Sequence, residues 1–167
     1  MTARAGPWRG SLPRVTVEVE VLSEVTGEVV EAFGRLMPQL SGSAPPLSQA
    51  ALRDVVSHPA VTVLIARTSL GIAGTLTLAM FPAPTGVRAW IEDVVVDTSA
   101  RGQGVGEALT TTALRHARAA GARTVDLTSR PSREAAGRLY ERIGFTVRQT
   151  RLYRYALDEA GVDAAAR

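Results

Sequence analysis

The chain has 167 residues, 46% hydrophobic and 21% charged, with a formal net charge of +3 in which all 19 basic residues are arginine; this fits one globular domain with a core of its own. There is no cysteine and there are only two histidines, which excludes disulfides, thiolate nucleophiles and a histidine-built metal site. No apolar run reaches the roughly 18 residues of a membrane span, and the Arg-, Gly- and Pro-rich start lacks a signal-peptide core, so the reading is a cytoplasmic protein with no membrane and no metal among its partners.

Residues 1–13 read as a disordered arm. Residues 15–21 alternate apolar and polar at period two, which predicts a half-buried strand. Ser23 is placed to cap a helix over residues 24–37, with Val25, Val29, Phe33 and Leu36 on one face and Pro38 ending it. Residues 41–46 form a loop, and Ser48 then caps a short helix carrying Leu52, Val55 and Val56, stopped by Pro59. Residues 61–67 and 72–81 read as a hairpin turning at Gly71, and a second turn at 82–86 leads into a strand over 87–96.

A loop and the run RGQGVG follow, and then a long amphipathic helix to about residue 120, closed by Gly121. Residues 125–127 form a short strand, parallel to the one before because a helix crosses between them. Ser132 caps a helix over 133–143, closed by Gly144. Residues 145–157, FTVRQTRLYRYAL, read as one strand or a bent pair, and 158–167 as a tail with little core. This order predicts a single α+β domain over residues 14–157, its mixed sheet largely antiparallel and flanked by about four helices.

The segment VVVDTSARGQGVG carries the chemistry. A buried strand, a glycine-rich turn and a helix start make a phosphate cradle, because the first helical turn has unpaired N–H groups at the positive end of its dipole. Glycines at 102, 104 and 106 allow close backbone approach, and Arg101 adds a charge-assisted contact. A Walker loop requires a lysine that this chain lacks. A dinucleotide fingerprint started at Gly102 puts Glu107 where its third glycine belongs, although Asp126 imitates the ribose acid. The third reading is the R-x-x-G-x-G run of Arg101, Gly104 and Gly106. That run resembles the cofactor loop of the GNAT superfamily of N-acetyltransferases.

A second signature makes the resemblance specific. Ala136, Leu139, Tyr140, Gly144 and Phe145 match the family's A-x-x-L-Y-x-x-x-G-F helix, and IEDVVVD resembles its fourth strand. The likeness covers roughly residues 15–157 and departs at Gly137, where many members have asparagine. It implies a GNAT-like sheet with a splayed parallel strand pair, acetyl-CoA as cofactor, and direct attack of an amine on the thioester. Val94, Val95 and Val96 would serve through their backbone. Arg101, Gly102, Gln103, Gly104, Val105 and Gly106 would hold the pyrophosphate, with Ser129 and Arg133 as further cofactor contacts.

Three demands follow: a proton acceptor for the amine, a donor for the oxyanion and a proton for the leaving thiolate. Tyr140 is the candidate acid and Glu92 the candidate base, with Asp93, facing the other side of the strand, as its rival. His58 reads as a loop histidine and His116 as packing.

The charge distribution divides the ligands. Residues 101–154 hold eleven arginines against four carboxylates, net +7, which suits the anionic cofactor; residues 15–60 are net −4, which favours a cationic amine. With 5% aromatics and no consecutive arginines, nucleic acid is not an expected partner. Phe33, Met37, Gln39 and Leu40 are the candidate acceptor wall, joined by Trp90. The reading is therefore an acetyltransferase acting on a small-molecule amine, with a homodimer left open. The alternative is a non-catalytic acyl-CoA-binding sensor or regulatory module of the same fold.

Overall fold

A single five-stranded sheet runs in sequence order: β1 (Glu18–Val21), β2 (Val61–Thr68), β3 (Gly71–Ala83), β4 (Gly86–Val96) and β5 (Thr124–Leu127). The computed structural model describes residues 16–42, 47–155 and 157; the arm at 1–13, the tail at 158–167 and loop residues 43–46 lie outside these. Strands β1 to β4 pair antiparallel, β2 to β4 through short turns and β1 to β2 across the two-helix connection, and β4 pairs parallel with β5 because helix α3 (Val105–Ala119) crosses between them.

The alternation of the central strands sorts their side chains into two cores. Leu64, Ala66, Leu76, Leu78, Ala89 and Ile91 face α3, where they meet Val105, Leu109, Ala113 and Ala117. Val63, Ile65, Ile72 and Val95 face the opposite layer, α1 (Gly27–Leu40) and α2 (Gln49–Ser57), and pack on Val29, Phe33, Leu36 and Leu52. A strand buried on both faces needs apolar residues at successive positions, and the buried centre of β2, residues 63–66, is the apolar run VLIA. Helix α4 (Glu134–Ile143) follows β5. Among the described residues no helix is long and apolar enough to cross a membrane.

Several boundaries differ from the sequence reading. Thr26, not Ser23, caps α1, its side chain accepting from the Val29 N–H at 3.4 Å. The chain is still tied to the sheet at Leu22, whose N–H donates to Val63 O at 2.8 Å, and Leu22 and Val25 are buried, so the helix starts only after that segment has docked. Helix α1 also runs through Pro38 to Leu40. A proline in the last turn removes only the bond to the carbonyl four residues back, here that of exposed Gly34.

Ser48 caps α2 as expected, accepting from Ala51 N at 3.1 Å. Ser132 does not cap α4: it sits in a turn closed by Arg133 N–H on Arg130 O at 2.9 Å, so the helix begins at Glu134 with no side-chain cap. Residues 145–157 form no strand among the described residues. Phe145 packs against the core, but Val147 and Tyr153 are each 82% exposed. Alternation supplies strand propensity, but strand structure needs a ladder, and none of the five strands pairs with these residues among those described.

β3, β4 and α3 pack closely at Gly74. A Cβ there would stand 2.8 Å from Val95 O, 2.9 Å from Val105 Cγ1 and 3.2 Å from Leu109 Cδ1. Because one of these atoms is backbone, the clash cannot be relieved by a rotamer change. Gly74→Ala should therefore destabilise the fold by about 1–3 kcal/mol, read as a lowered urea midpoint; an unchanged midpoint would mean that α3 can retreat from the sheet without loss.

Candidate functional site

Strand β4 is paired on both edges over its first part only. Its parallel ladder to β5 runs from Arg88–Thr124 to Ile91–Leu127 and stops, while its antiparallel ladder to β3 continues to Val96–Gly74. From Glu92 to Val96 the edge that faced β5 has no strand beside it among the described residues. The two strands open there as a V, and backbone N–H and C=O groups on that edge lack ladder partners. The sheet thus has the splayed parallel pair that the sequence resemblance implies.

The opening coincides with a bulge. Asp93 has φ 50°, the only non-glycine residue with positive φ among those described, and Asp93 and Val94 together stand against Leu76 of β3. The extra residue resets which face each side chain occupies. Ala89 and Ile91 pack toward α3, whereas Val95 packs toward α1 and α2, and Val94 and Val96 lie against the α3 core. Aspartate tolerates this backbone conformation better than a β-branched residue does. Trp90 and Glu92, two positions apart, share a face, and the indole N–H donates to Glu92 Oε1 at 2.7 Å.

At the mouth of the V the chain turns through residues 97–104 into α3. Gly102 and Gly104 have φ of 76° and 85°, and a Cβ on either would meet nothing within 4 Å. Backbone conformation, not crowding, requires glycine at both positions, and the space beside them is open. Gly104 caps α3 without any side-chain hydrogen bond, so the first-turn N–H groups and the positive end of the dipole are free of a competing side-chain oxygen. Glu107, an acid in that first turn, is bonded by Arg142 of α4 at 2.8 Å, which offsets its charge. Gly106 acts differently: a Cβ there would lie 3.1 Å from Leu139 Cδ2, closer than an ordinary contact, so its absence lets Leu139 of α4 settle on the start of α3.

Tyr140 on α4 is half-buried, with its ring edge-on to Phe145 at 5.7 Å. Burial raises its phenol above the ordinary 10.0, with the charge of Arg133 opposing in part, so the hydroxyl stays protonated through neutral pH. Gly137, one turn earlier, also opens on empty space, with no atom within 4 Å of a would-be Cβ. No other part of the described chain packs against it there.

Several candidate residues are otherwise engaged. Gln103 turns its amide back onto Ser99 O at 3.0 Å. Arg133 donates to Leu40 O at 2.8 Å, joining the start of α4 to the end of α1. Val105 is buried and Arg101 and Ser129 are exposed. On the acceptor side, Phe33 is 5% exposed and belongs to the α1–α2 core, so it offers no wall to a substrate. Gln39 is committed at both ends of its amide: Oε1 accepts from Thr98 N at 2.9 Å and Thr98 Oγ1 at 2.8 Å, and Nε2 donates to Arg35 O at 3.1 Å. Met37, Leu40 and Trp90 remain partly exposed.

Sequence reasoning missed Arg35, Asp97 and Thr98. Arg35 donates to Asp97 Oδ2 at 2.9 Å, and Asp97 Oδ1 accepts from Ser99 N at 3.0 Å and Ser99 Oγ at 2.8 Å. The D-x-S spacing of an Asx turn was a readable signal for the second contact; the first joins residues 62 positions apart.

The sequence model of the acetyltransferase (GNAT) family matches residues 29–145. No curated protein matches. Among solved structures, a Trypanosoma brucei acetyltransferase is 31% identical, with 83% of this chain and 100% of that one covered at a TM-score of 0.65. Glucosamine-6-phosphate N-acetyltransferase from Arabidopsis thaliana is 20% identical (84% and 98% covered, TM-score 0.71). Ribosomal-protein-alanine N-acetyltransferase from Brucella melitensis is 19% identical (84% and 100% covered, TM-score 0.67). The last two share the fold at low identity while their names specify a sugar phosphate and a protein as acceptors.

The turn has a pH signature. The Arg35 guanidinium, followed by the Ser99 N–H and hydroxyl, lowers the Asp97 carboxyl from 3.8 to about 2. A carboxylate depressed in the folded state stabilises it fully above the unfolded value and loses that contribution as pH falls through the folded one. Asp97→Asn should therefore lower the urea midpoint at pH 7, and its gap from wild type should close as pH falls from about 4 to 2. A gap independent of pH would show that the ion pair contributes nothing.

Proposed function

Because the chain belongs to the GNAT acetyltransferase family, we propose that it transfers the acetyl group of acetyl-CoA to a primary amine of a small molecule by direct attack. The observation that carries this reading is the V between β4 and β5, placed at the mouth of an uncapped, glycine-opened helix start. The turn at 101–104 and the start of α3 hold the pyrophosphate, with Arg101 adding a cation. The fit is favourable: would-be Cβ atoms at Gly102 and Gly104 meet only open space, and Glu107 is neutralised by Arg142. The unpaired edge of β4 from Glu92 to Val96 bonds the pantetheine amides, as a strand bonds its neighbour.

Acetyl-CoA supplies an activated thioester; the chain supplies the proton transfers. Glu92, steadied by the Trp90 indole, accepts the proton of the amine. A backbone N–H on the open β4 edge donates to the thioester oxygen as charge develops there. Tyr140, a phenol that is protonated at neutral pH and is held so more firmly by burial, donates to the leaving sulfur. Met37, Leu40 and Trp90 give the amine an apolar surface, and the net −4 of residues 15–60 favours a cation. The site lies in the cytoplasm on this reading.

Arg101→Glu should weaken CoA binding at least tenfold in calorimetry while leaving the thermal midpoint unchanged, since Arg101 is exposed. Full affinity in the folded variant would remove the turn from the site. Tyr140→Phe should lower kcat by about a hundredfold with CoA affinity little changed. A wild-type rate in that variant would leave Tyr140 as a packing residue.

A further inference from the structure

Helix α1 reaches the glycine-rich turn through two residues spaced one helical turn apart. Arg35 bonds Asp97 with Nε and the carbonyl of Ile72 with a terminal nitrogen, each at 2.9 Å. Gln39 bonds both the N–H and the hydroxyl of Thr98. Asp97 divides its two oxygens between Arg35 and Ser99. Thr98, Ser99 and Ala100 form a short 3-10 turn, and the next residues are Arg101 and Gly102.

These contacts are at the surface; Arg35 is half exposed. Exposed pairs of long side chains add little to global stability, because ordering them offsets most of what they gain. Beyond the modest contribution of the Arg35–Asp97 pair to stability, their convergence on one turn has a local effect. The chain at 101–104 contains two glycines with positive φ and makes few contacts of its own. A ligand binding to such a segment must supply the cost of ordering it, unless the chain has already done so. Fixing the residues just ahead of that segment lowers this cost for an anion bound at the helix start.

We propose that Gln39, with Arg35 beside it, is a positioning residue for the pyrophosphate turn: it holds Thr98 so that the following N–H groups stand ready for the anion. This rests on the reading of the turn as a pyrophosphate site. Gln39 is then a cofactor-side residue carried on the helix that borders the acceptor.

Gln39→Met tests it, because methionine keeps the length, the apolar stem and the helical preference of glutamine but neither end of its amide. Two probes are titrated: CoA by calorimetry, and pantetheine, which shares the thiol arm but has no pyrophosphate, by NMR. The variant should show a Kd for CoA raised about tenfold and a Kd for pantetheine within twofold of wild type. An unchanged Kd for CoA would overturn the proposal. So would an equal loss for both probes, because a merely structural role would move them together. Wild-type protein that binds CoA no more tightly than pantetheine would instead overturn the pyrophosphate reading itself, before any variant is compared.

Discussion

The separation of two strands that begin as a parallel pair is the constraint on which the rest of the structure depends. β4 is 11 residues long and β5 is four, and their ladder ends at Ile91–Leu127. Beyond that point β4 must leave the plane it shares with β5 without losing β3, and the bulge at Asp93 meets this need. It adds one residue on the β4 side and increases the local twist. It also exchanges the faces, so Val95 can seal the α1–α2 core while Val94 and Val96 pack toward α3. The cost is one non-glycine residue in a conformation seldom adopted.

The anion site proposed at the mouth of that opening would be assembled almost entirely from backbone. The chain contains no lysine, so the flexible point charge common in phosphate sites is missing. In its place are a helix dipole, open N–H groups and one exposed arginine. Such a site would be sensitive to stray negative charge, and the acid nearest to it, Glu107, is paired with Arg142. It would be equally sensitive to disorder in the turn. Arg35, Gln39 and Arg133 run from the turn to α1 and on to α4, so three elements far apart in sequence meet around one small region.

What could be read from the sequence followed the range of the interactions. RGQGVG, the caps at Ser48 and Gly144, and the hairpin at Gly71 are local chemistry, decided within a few residues. The start of α1 was misread because its limit is tertiary: Leu22 stays hydrogen-bonded to β2, a fact invisible in a window around Ser23. Phe33 and Gln39 both suited an acceptor wall by composition, yet one is drawn into the core and the other across to Thr98. Alternation at residues 145–157 reported propensity only, and no neighbouring strand takes it up among the described residues. Asp93 carried no signal, since its bulge lies where β4 runs past its ladder with β5 while staying paired with β3, which no local window shows.

The missing side chain at Gly106 has a bearing beyond packing. Leu139 rests over that gap, and Tyr140 is the next residue along α4. That contact, together with the Arg142–Glu107 ion pair, therefore helps to set how closely α4, which carries the phenol, sits on the start of α3. If one end grips the pyrophosphate and the other serves the sulfur, that contact calibrates the protein to the fixed length of the pantetheine arm.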